Sequence, residues 1–342
     1  MTDPGLRADD CADRVSLLKT GHQSEQKELA QLRSGLLGTP REIPSRYFYD
    51  ATGSALFERI CGLDEYYQAR TEGALLEAHA DRIVETARAD ELIEIGSGAA
   101  TKTRSLLRAM ERLHGTAVYR PLDVDDDMLA RVGEELCMEF PELRVEAIEG
   151  DFTHSLAHVP PGERQLFIFL GGTIGNLHPT LEAPGFIRMI ASRMSASDHF
   201  LLGTDLIKSP DRLEAAYNDS EGITVTFNRN IPEVVNRKAG GDFDPGVYEH
   251  RAFYDTQHNW IEMRLVATRD QHVTLRTLDV ELSIEAGEEI RTEISAKYDR
   301  QRVDGLLGQA GMLAVDWLTD PEELFALTLA KPVRMGAAPR GA

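Results

Sequence analysis

Short apolar runs alternate with helix-like segments from residue 71 to about residue 205. The apolar runs have the composition of buried strands, and the segments between them repeat their apolar positions every three or four residues, as amphipathic helices do. This alternation predicts an α/β fold in which a parallel sheet carries helices on both faces. The predicted strands are 91–95, 117–122, 143–148, 165–172 and 199–206, and the predicted helices are 72–87, 101–113, 126–139 and 182–194.

The pattern changes after residue 208. Two helical segments, 209–220 and 227–238, lead to the stretch "AGGDFDPG", and three or four segments of alternating polarity follow it. Alternation with period two predicts an antiparallel sheet with one buried face, so we expect a second unit inserted into the first. The predicted strands of the insert are 247–256, 260–269, 272–282 and 289–298, and a helix at 300–310 with strands at 312–320 and 324–332 completes the first sheet.

The first seventy residues divide into three parts. Residues 1–19 are polar and are predicted to be loosely ordered, and a helix is predicted over about 23–37. The stretch "RYFYDATGSALFERICGLDEYYQ" is rich in aromatic residues beside Gly53 and Asp64, which favours loops that shape a pocket. We therefore predict one domain from residues 71–207 and 298–342, and a second from 20–70 and 208–297.

The charge balance narrows the possible functions. The 342 residues include 37 basic and 57 acidic side chains, which gives a formal net charge of −20. Nucleic acid and anionic membranes both demand basic surfaces, so we expect neither as a partner. Cys11, Cys61 and Cys137 are far apart, the ten histidines show no metal-ligand spacing, and the stretch "MTDPGLRADD" has no apolar signal segment. We expect a reduced cytoplasmic protein without a structural metal.

A glycine turn follows the first strand of the alternating region, in "ELIEIGSGAATKTRSLL". The strand ends in the pattern Glu94-x-Gly96-x-Gly98, and a helical pattern begins within three residues. A strand, a glycine turn and a helix form a seat for a nucleotide-like ligand. A dinucleotide site prefers a third glycine where this chain has Thr101, so an NAD-dependent oxidoreductase is disfavoured.

Carboxylates also end the next two strands. Asp123, in "YRPLDVD", can accept hydrogen bonds from both hydroxyls of a ribose, and Asp151 with Phe152, in "EGDF", can bind and flank an adenine. The carboxyl ends of parallel strands meet at the edge of the sheet where ligands bind in such folds. S-adenosylmethionine has a ribose and an adenine but no phosphate, and Lys102 can meet its methionine carboxylate. We therefore predict S-adenosylmethionine as the ligand.

Ten stretches follow one another along the chain: "RYFYDATGSALFERI", "EYYQARTE", "IEIGSGAATKTRSLL", "PLDVD", "EGDF", "FLGGTIGNL", "LLGTDLIK", "FNRN", "IEMRL" and "RTEISAKY". In this order they resemble the histidine Nα-methyltransferases of ergothioneine biosynthesis, and the similarity runs from about residue 35 to residue 333. The resemblance implies a class I (Rossmann-like) methyltransferase with a doubly wound sheet and an inserted α+β domain that binds the substrate. It also implies that methyl groups pass from S-adenosylmethionine to the α-amino nitrogen of L-histidine, three times, giving hercynine.

The same resemblance implies which residues form the site. Read without it, Glu293 and Ser295 share one strand face that is equally consistent with exposed polar surface, and Asn176 is equally consistent with a turn residue. The implied S-adenosylmethionine site is Gly96, Lys102, Asp123, Asp151 and Phe152. The implied amino-acid site is Tyr66, Asn176 and Tyr217 for the α-amino and carboxylate groups, Glu293 and Ser295 for the imidazole, Met263 near the ring, and Tyr49 and Phe57 near the reacting nitrogen, with Tyr49 as the candidate proton acceptor.

Two other functions stay open at this point. One is an Nα-methyltransferase of another amino acid such as tryptophan, against which the carboxylate of Glu293 argues. The other is a non-catalytic protein that binds S-adenosylmethionine. In each case the expected partner is a small molecule, L-histidine in the preferred interpretation, and we expect a monomer.

Overall fold

The protein, described by a computed structural model over residues 13–20, 25–115, 117–151 and 155–333, folds around a sheet of eight strands and a second sheet of four. The strands are β1 (Val15–Lys19), β2 (Arg41–Glu42), β3 (Glu91–Ile95), β4 (Ala117–Asp123), β5 (Leu143–Glu149), β6 (Gln165–Phe169), β7 (His199–Asp205), β8 (Tyr248–Asp255), β9 (Trp260–Ala267), β10 (Gln271–Leu275), β11 (Val280–Ile284), β12 (Glu289–Ala296), β13 (Met312–Thr319) and β14 (Phe325–Pro332). The α-helices are α1 (Glu25–Leu37), α2 (Ala51–Cys61), α3 (Tyr67–Ala87), α4 (Arg104–His114), α5 (Asp126–Glu139), α6 (Ala183–Ala191), α7 (Pro210–Ala215), α8 (Ile223–Ala239) and α9 (Arg300–Gln309).

The large sheet has the strand order β1-β5-β4-β3-β6-β7-β14-β13. The first six strands in this order run parallel, and β14 is antiparallel to both of its neighbours. Strands β3 and β6 are almost wholly buried, as expected for a parallel sheet covered on both faces. The predicted α/β class is confirmed. Chain order reverses between β3 and β6, and such a switch point opens a crevice at the carboxyl ends of the strands.

The prediction that residues 1–19 are loosely ordered is wrong for residues 15–19. These residues form β1, which pairs in parallel with β5 at the edge of the large sheet. The neighbouring Arg14 holds this strand in place, because its guanidinium donates hydrogen bonds to the carbonyls of Cys137, Phe140 and Leu143 at the end of α5. Residues 1–12, including Cys11, lie outside the described residues.

Two predicted elements break where local contacts turn the chain. The strand predicted at 272–282 is a hairpin of β10 and β11, because Asp279 adopts a left-handed backbone with φ of 50° between them. The helices predicted at 209–220 and 227–238 are α7, which ends at Ala215, and α8, which begins earlier than expected. The carboxylate of Asp219 accepts hydrogen bonds from the backbone N–H groups of Ile223 and Thr224, both at 2.8 Å, and so sets the start of α8.

The insert packs around its own apolar cluster. The four-stranded sheet has the order β2-β12-β9-β8, and α1, α2 and α8 contribute to the cluster beside it. Most members of the cluster belong to the segments 20–70 and 208–297, which the sequence predicts as the substrate-binding domain. The exact division stays a prediction, and its boundary after residue 70 falls within α3. None of the described helices is long and apolar enough to cross a membrane.

The two connections between the sheets run side by side. The chain leaves the large sheet after Asp205 and returns to it through Tyr298, whose backbone N–H donates to the Asp205 carbonyl at 2.9 Å. The backbone N–H of Ile207 donates in turn to the Tyr298 carbonyl at 2.8 Å. These bonds place the insert over the carboxyl edge of the large sheet, next to the crevice.

A substitution in helix α2 can test the packing of the insert, because Gly53 in the first turn of this helix has no room for a side chain. A Cβ at this position would lie 1.6 Å from the backbone oxygen of Phe48. Gly53→Ala is therefore expected to lower the free energy of unfolding by about 1–3 kcal/mol, as overpacking does. Gly305→Ala in α9 is the control, since a Cβ there meets nothing within 4 Å and should stabilise by about 0.5–1 kcal/mol. Urea denaturation measures both, and a Gly53→Ala protein as stable as the wild type would contradict this packing.

Candidate active site

A cavity lies between the loop after β6 and strand β12 of the insert. Its empty volume is about 370 Å³ including the open space at its mouth. Seven of the eight residues predicted for the amino-acid site line it, and Met263 is the exception. The lining residues are Tyr49, Phe57, Tyr66, Gln68, Gly171, Gly172, Thr173, Asn176, Asp205, Tyr217, Glu293 and Ser295.

Aromatic rings form one wall of this cavity. The ring of Phe57 meets the rings of Tyr49 and Tyr66 edge to face, with centroids 5.8 and 6.1 Å apart. Tyr66 meets Tyr217 in the same way at 6.3 Å. Edge-to-face contacts at such distances stabilise aromatic pairs, so the four rings keep fixed positions. Their faces and edges offer an apolar surface that also attracts cations.

Polar side chains of β12 form another part of the lining. Glu293 and Ser295 are two residues apart and lie on the same strand face, as their spacing predicts. Burial raises the pKa of Glu293 to about 7, although the Lys297 charge and a hydrogen bond from the Asn176 side chain oppose the rise. Met263 lies directly across from Glu293 on β9, but it is buried in the apolar cluster of the insert and does not line the cavity.

The hydroxyl of Tyr49 stays protonated at neutral pH. Burial raises its pKa far above the usual range for a phenol, and the nearby carboxylate of Glu293 adds to the effect. Half of the Tyr49 side chain is nevertheless exposed. The hydroxyl can therefore accept a proton only if it passes its own proton on at the same time.

The glycine turn after β3 is built to receive a ligand. Gly96 and Gly98 adopt left-handed backbone conformations, with φ of 71° and 48°, and a Cβ on either would meet no protein atom within 4 Å. The carboxylate of Asp123 accepts hydrogen bonds from the backbone N–H groups of Gly98 and Val124, both at 2.8 Å, and so fastens the turn to the end of β4. Asp151 is half-buried at the end of β5. Phe152 lies outside the described residues.

Glu72 connects this turn to the cavity, and the sequence alone did not single it out. Its carboxylate is fully buried, pairs with the ammonium of Lys102, and accepts hydrogen bonds from the backbone N–H of Gly171 at 2.8 and 2.9 Å. Lys102 belongs to the predicted cofactor site, whereas Gly171 lines the cavity. The two parts of the site are therefore neighbours. The role of Lys102 toward a methionine carboxylate stays a prediction.

Glu94, which the glycine motif contains, has a structural role. Its buried carboxylate accepts hydrogen bonds from the hydroxyls of Thr103, at 2.6 Å, and Tyr119. Burial raises its pKa to about 7. These contacts join β3 to β4 and to the start of α4, so Glu94 supports the turn from within the protein.

A buried polar network beneath the cavity was also missed by sequence reasoning. Its centre is the ion pair of Asp205 with Lys297, 2.8 Å apart, and Gln68 and Lys208 also donate to Asp205, at 2.7 and 2.6 Å. One signal could have revealed Lys297, since it continues the alternate-residue face of Glu293 and Ser295. Cys61 and Cys137 are free thiols, and among the described residues no group of three or more His, Cys, Asp or Glu is placed to hold a metal ion.

A doubly wound sheet with a glycine turn and carboxylates at its strand ends defines an α/β protein that binds a nucleoside-like cofactor. Residues 28–332 match the family described as "Histidine-specific methyltransferase, SAM-dependent", and the chain belongs to this family. The resemblance seen in the sequence is thereby confirmed. S-adenosylmethionine is the methyl donor named by the family description, and the open glycine turn fits it.

Characterised relatives agree with this assignment. A histidine N-alpha-methyltransferase of Mycolicibacterium smegmatis is 42% identical over 299 residues, covering 87% of this chain and 93% of that protein. A histidine N-alpha-methyltransferase of Mycobacterium tuberculosis is 41% identical over 297 residues, covering 87% and 92%. An ergothioneine biosynthesis protein 1 of Schizosaccharomyces pombe is 30% identical over 226 residues, covering 63% of this chain and 29% of that protein.

The position of Asp123 leads to a test of the cofactor site. Asp123→Ala removes the predicted ribose acceptor and loosens the glycine turn. We expect it to weaken S-adenosylmethionine binding by about 1.5–3 kcal/mol, roughly 10- to 150-fold, in isothermal titration calorimetry. Asp125→Ala is the control, because the Asp125 carboxylate in the same loop caps α5 by accepting from Met128 N–H at 2.9 Å. Unchanged affinity in a folded Asp123→Ala protein would refute this placement of the ribose.

Proposed function

We propose that this protein transfers methyl groups from S-adenosylmethionine to the α-amino nitrogen of L-histidine, three times, and so produces Nα,Nα,Nα-trimethylhistidine, or hercynine. The observation that carries the proposal is the placement of Glu293 and Ser295 together in a cavity that adjoins the cofactor site through Glu72. The names of the relatives support the substrate and the reacting nitrogen. The relative named for ergothioneine biosynthesis supports the pathway.

The cavity orients histidine by its two ends. The imidazole binds the polar groups of β12, Glu293 and Ser295, since a ring N–H needs an acceptor and a ring nitrogen needs a donor. Asn176 and Tyr66 lie at the same cavity and serve the α-carboxylate and α-amino groups. The α-nitrogen is thereby directed to the side where Gly171 and Glu72 meet the cofactor turn.

Methyl transfer needs a neutral amine, because an ammonium has no lone pair. S-adenosylmethionine supplies an electrophilic methyl group on a sulfonium. Model α-amino groups have pKa values of about 8, so a proton must leave before each transfer, and Tyr49, a half-exposed residue, can relay it toward solvent through its hydroxyl. Alignment of the reacting groups by the two adjoining sites can contribute about 7–11 kcal/mol to catalysis.

The aromatic wall suits three successive transfers. The nitrogen gains bulk with each methyl group and ends with a fixed positive charge. The rings of Tyr49, Phe57 and Tyr66 can each stabilise such a cation by roughly 0.5–2 kcal/mol. A wall without opposite charges also lets the product leave, since no ion pair holds the quaternary ammonium there.

A tryptophan Nα-methyltransferase fits this cavity less well. Its substrate would place indole carbon against the carboxylate of Glu293, which would then be buried with the Asn176 side chain as its hydrogen-bond partner and no partner on the ligand. A non-catalytic protein that binds S-adenosylmethionine would not need the adjoining cavity with its amino-acid-binding groups. Histidine methylation uses both the cofactor site and the adjoining cavity.

Glu293→Ala tests the imidazole contact. The variant loses one charge-assisted hydrogen bond of about 1.5–3 kcal/mol, so we expect kcat/KM for histidine to fall roughly 10- to 150-fold. The assay is run at pH 8, because Glu293, with a pKa of about 7, is ionised there and protonated in acid. The affinity for S-adenosylmethionine should hardly change, and discrimination against phenylalanine and leucine should shrink.

Glu249→Ala is the matched control, since Glu249 is an exposed carboxylate on β8 of the same sheet. It should retain wild-type kinetics. If Glu293→Ala methylates histidine as efficiently as the wild type, the carboxylate does not bind the substrate and the histidine assignment loses its main support.

A further inference from the structure

Lys297 lies fully buried beneath the cavity and takes no direct part in the proposed reaction. Its ammonium reaches three oxygens, those of the Asp205 carboxylate at 2.8 Å, the Ser295 hydroxyl at 2.8 Å and the Tyr217 hydroxyl at 3.1 Å. An ammonium has three hydrogens and no lone pair, so it can only donate. Both hydroxyl oxygens must therefore accept a hydrogen bond from Lys297.

The Tyr217 hydroxyl receives a second donor. The side-chain N–H of Gln68 lies 3.3 Å from its oxygen, so both lone pairs of that oxygen face donors. The hydrogen of the Tyr217 hydroxyl is then directed to the Ser295 oxygen, 2.8 Å away. The order of donation therefore runs from Lys297 to Tyr217 to Ser295.

Ser295 is left with one hydrogen and no lone pair to offer. Its oxygen accepts from Lys297 and from Tyr217, which uses both lone pairs of a hydroxyl. Across the part of the chain that the structure describes, no acceptor lies within hydrogen-bond distance of the remaining hydrogen, and Ser295 lines the cavity. Toward a ligand in the cavity, Ser295 is thus a donor only, whereas the ionised Glu293 beside it is an acceptor only.

This pair matches one ionisation state of imidazole. A neutral imidazole has one N–H for Glu293 and one nitrogen lone pair for Ser295. An imidazolium has two N–H groups, and the second would meet a Ser295 oxygen without a free lone pair. The buried charge of Lys297 behind Ser295 also repels a cationic ring.

We propose that Lys297 is a positioning residue which, by fixing Ser295 as a donor, makes the site select the neutral imidazole of histidine over the imidazolium. This inference rests on the proposed function and specifies the ionisation state of its substrate. It also gives the buried lysine a role in specificity that its ion pair with Asp205 does not by itself require.

Few protein groups around Glu293 and Ser295 change charge between pH 5.5 and 7.5. The pKa of Asp205 is lowered by Lys297 and Lys208, so Asp205 stays ionised, and the pKa of Lys297 is raised by Asp205. Burial lowers the pKa of Lys208 only to about 8. Burial raises the pKa of the Tyr49, Tyr66 and Tyr67 hydroxyls and of the Cys61 thiol, so these groups stay neutral. Burial lowers the pKa of His250, whose ring contacts the Tyr217 carbonyl. Glu293, with a pKa of about 7, is the facing group that titrates in this window.

Calorimetric binding of two ligands distinguishes protonation of the substrate ring from protonation of Glu293. Histidine and triazolylalanine are titrated into the protein with S-adenosylhomocysteine between pH 5.5 and 7.5. The triazole ring has an N–H and a lone-pair nitrogen but is far less basic than imidazole, so it stays neutral throughout. Titration of Glu293 and of the α-amino groups affects both ligands alike and cancels in the ratio of their dissociation constants.

We expect the ratio of the histidine Kd to the triazolylalanine Kd to rise about tenfold toward pH 5.5, since the imidazole pKa is about 6.5. A ratio independent of pH, in a protein that methylates histidine normally, overturns this inference alone. A wild-type protein that neither binds nor methylates histidine at pH 7.5 overturns the proposed function and the inference with it.

Lys297→Met assigns the effect to the lysine. Ser295 regains a lone pair in this variant and the repelling charge is gone, so the rise of the ratio should disappear or reverse. Lys208→Met is the matched control, because Lys208 also pairs with Asp205 but its other partners are Tyr67 and a backbone carbonyl. It should keep the wild-type ratio. If Lys297→Met does not fold, the double variant Asp205→Asn with Lys297→Met, which removes both charges of the buried pair, replaces it with the same expected flattening, and a rise that persists in the folded variant overturns the role of Lys297.

Discussion

The buried ion pair of Asp205 and Lys297 is the contact on which the arrangement of the two sheets depends. Asp205 ends β7 of the large sheet, and Lys297 follows β12 of the insert. Burying two charges costs several kcal/mol for each ion unless other partners surround them, and Tyr67, Gln68 and Lys208 all donate to the same carboxylate. Removing one member of such a pair typically costs about 3–5 kcal/mol. Loss of either partner would therefore weaken the junction between β7 and the end of β12.

The same contact determines the chemistry of the cavity. The strand that Lys297 follows carries Glu293 and Ser295, so the attachment of the insert also places the groups that face the substrate. The carboxylate of Glu293 has no direct ion pair although protein encloses it, and its pKa of about 7 reflects this burial. Perturbed carboxylates of this kind are common at functional sites, because their missing partner is supplied by the ligand.

Much of this structure could be predicted from the order of residues, because buried parallel strands are continuous apolar runs and capped helices have clear starts. The helix predicted at 126–139 agrees with α5, which Asp125 caps. Strand β1 was not predicted, since the five residues "VSLLK" are too short a pattern to identify a strand and their partner β5 lies more than a hundred residues further along the chain. The buried charge of Glu72 was also beyond sequence reasoning, because most charged residues are exposed and only the folded chain shows its partners. For Lys297 the alternate-residue face that it shares with Glu293 and Ser295 was the one available signal.

The identity of the product tests the central claim most directly. The purified protein is incubated with S-adenosylmethionine that carries an isotopically labelled methyl group, separately with each of the twenty amino acids, and the products are identified by mass spectrometry and NMR. We expect label in histidine alone, on the α-nitrogen, with up to three methyl groups per molecule and none on the ring. Label on a ring nitrogen, preferential methylation of another amino acid, or no transfer at all would contradict the proposed activity.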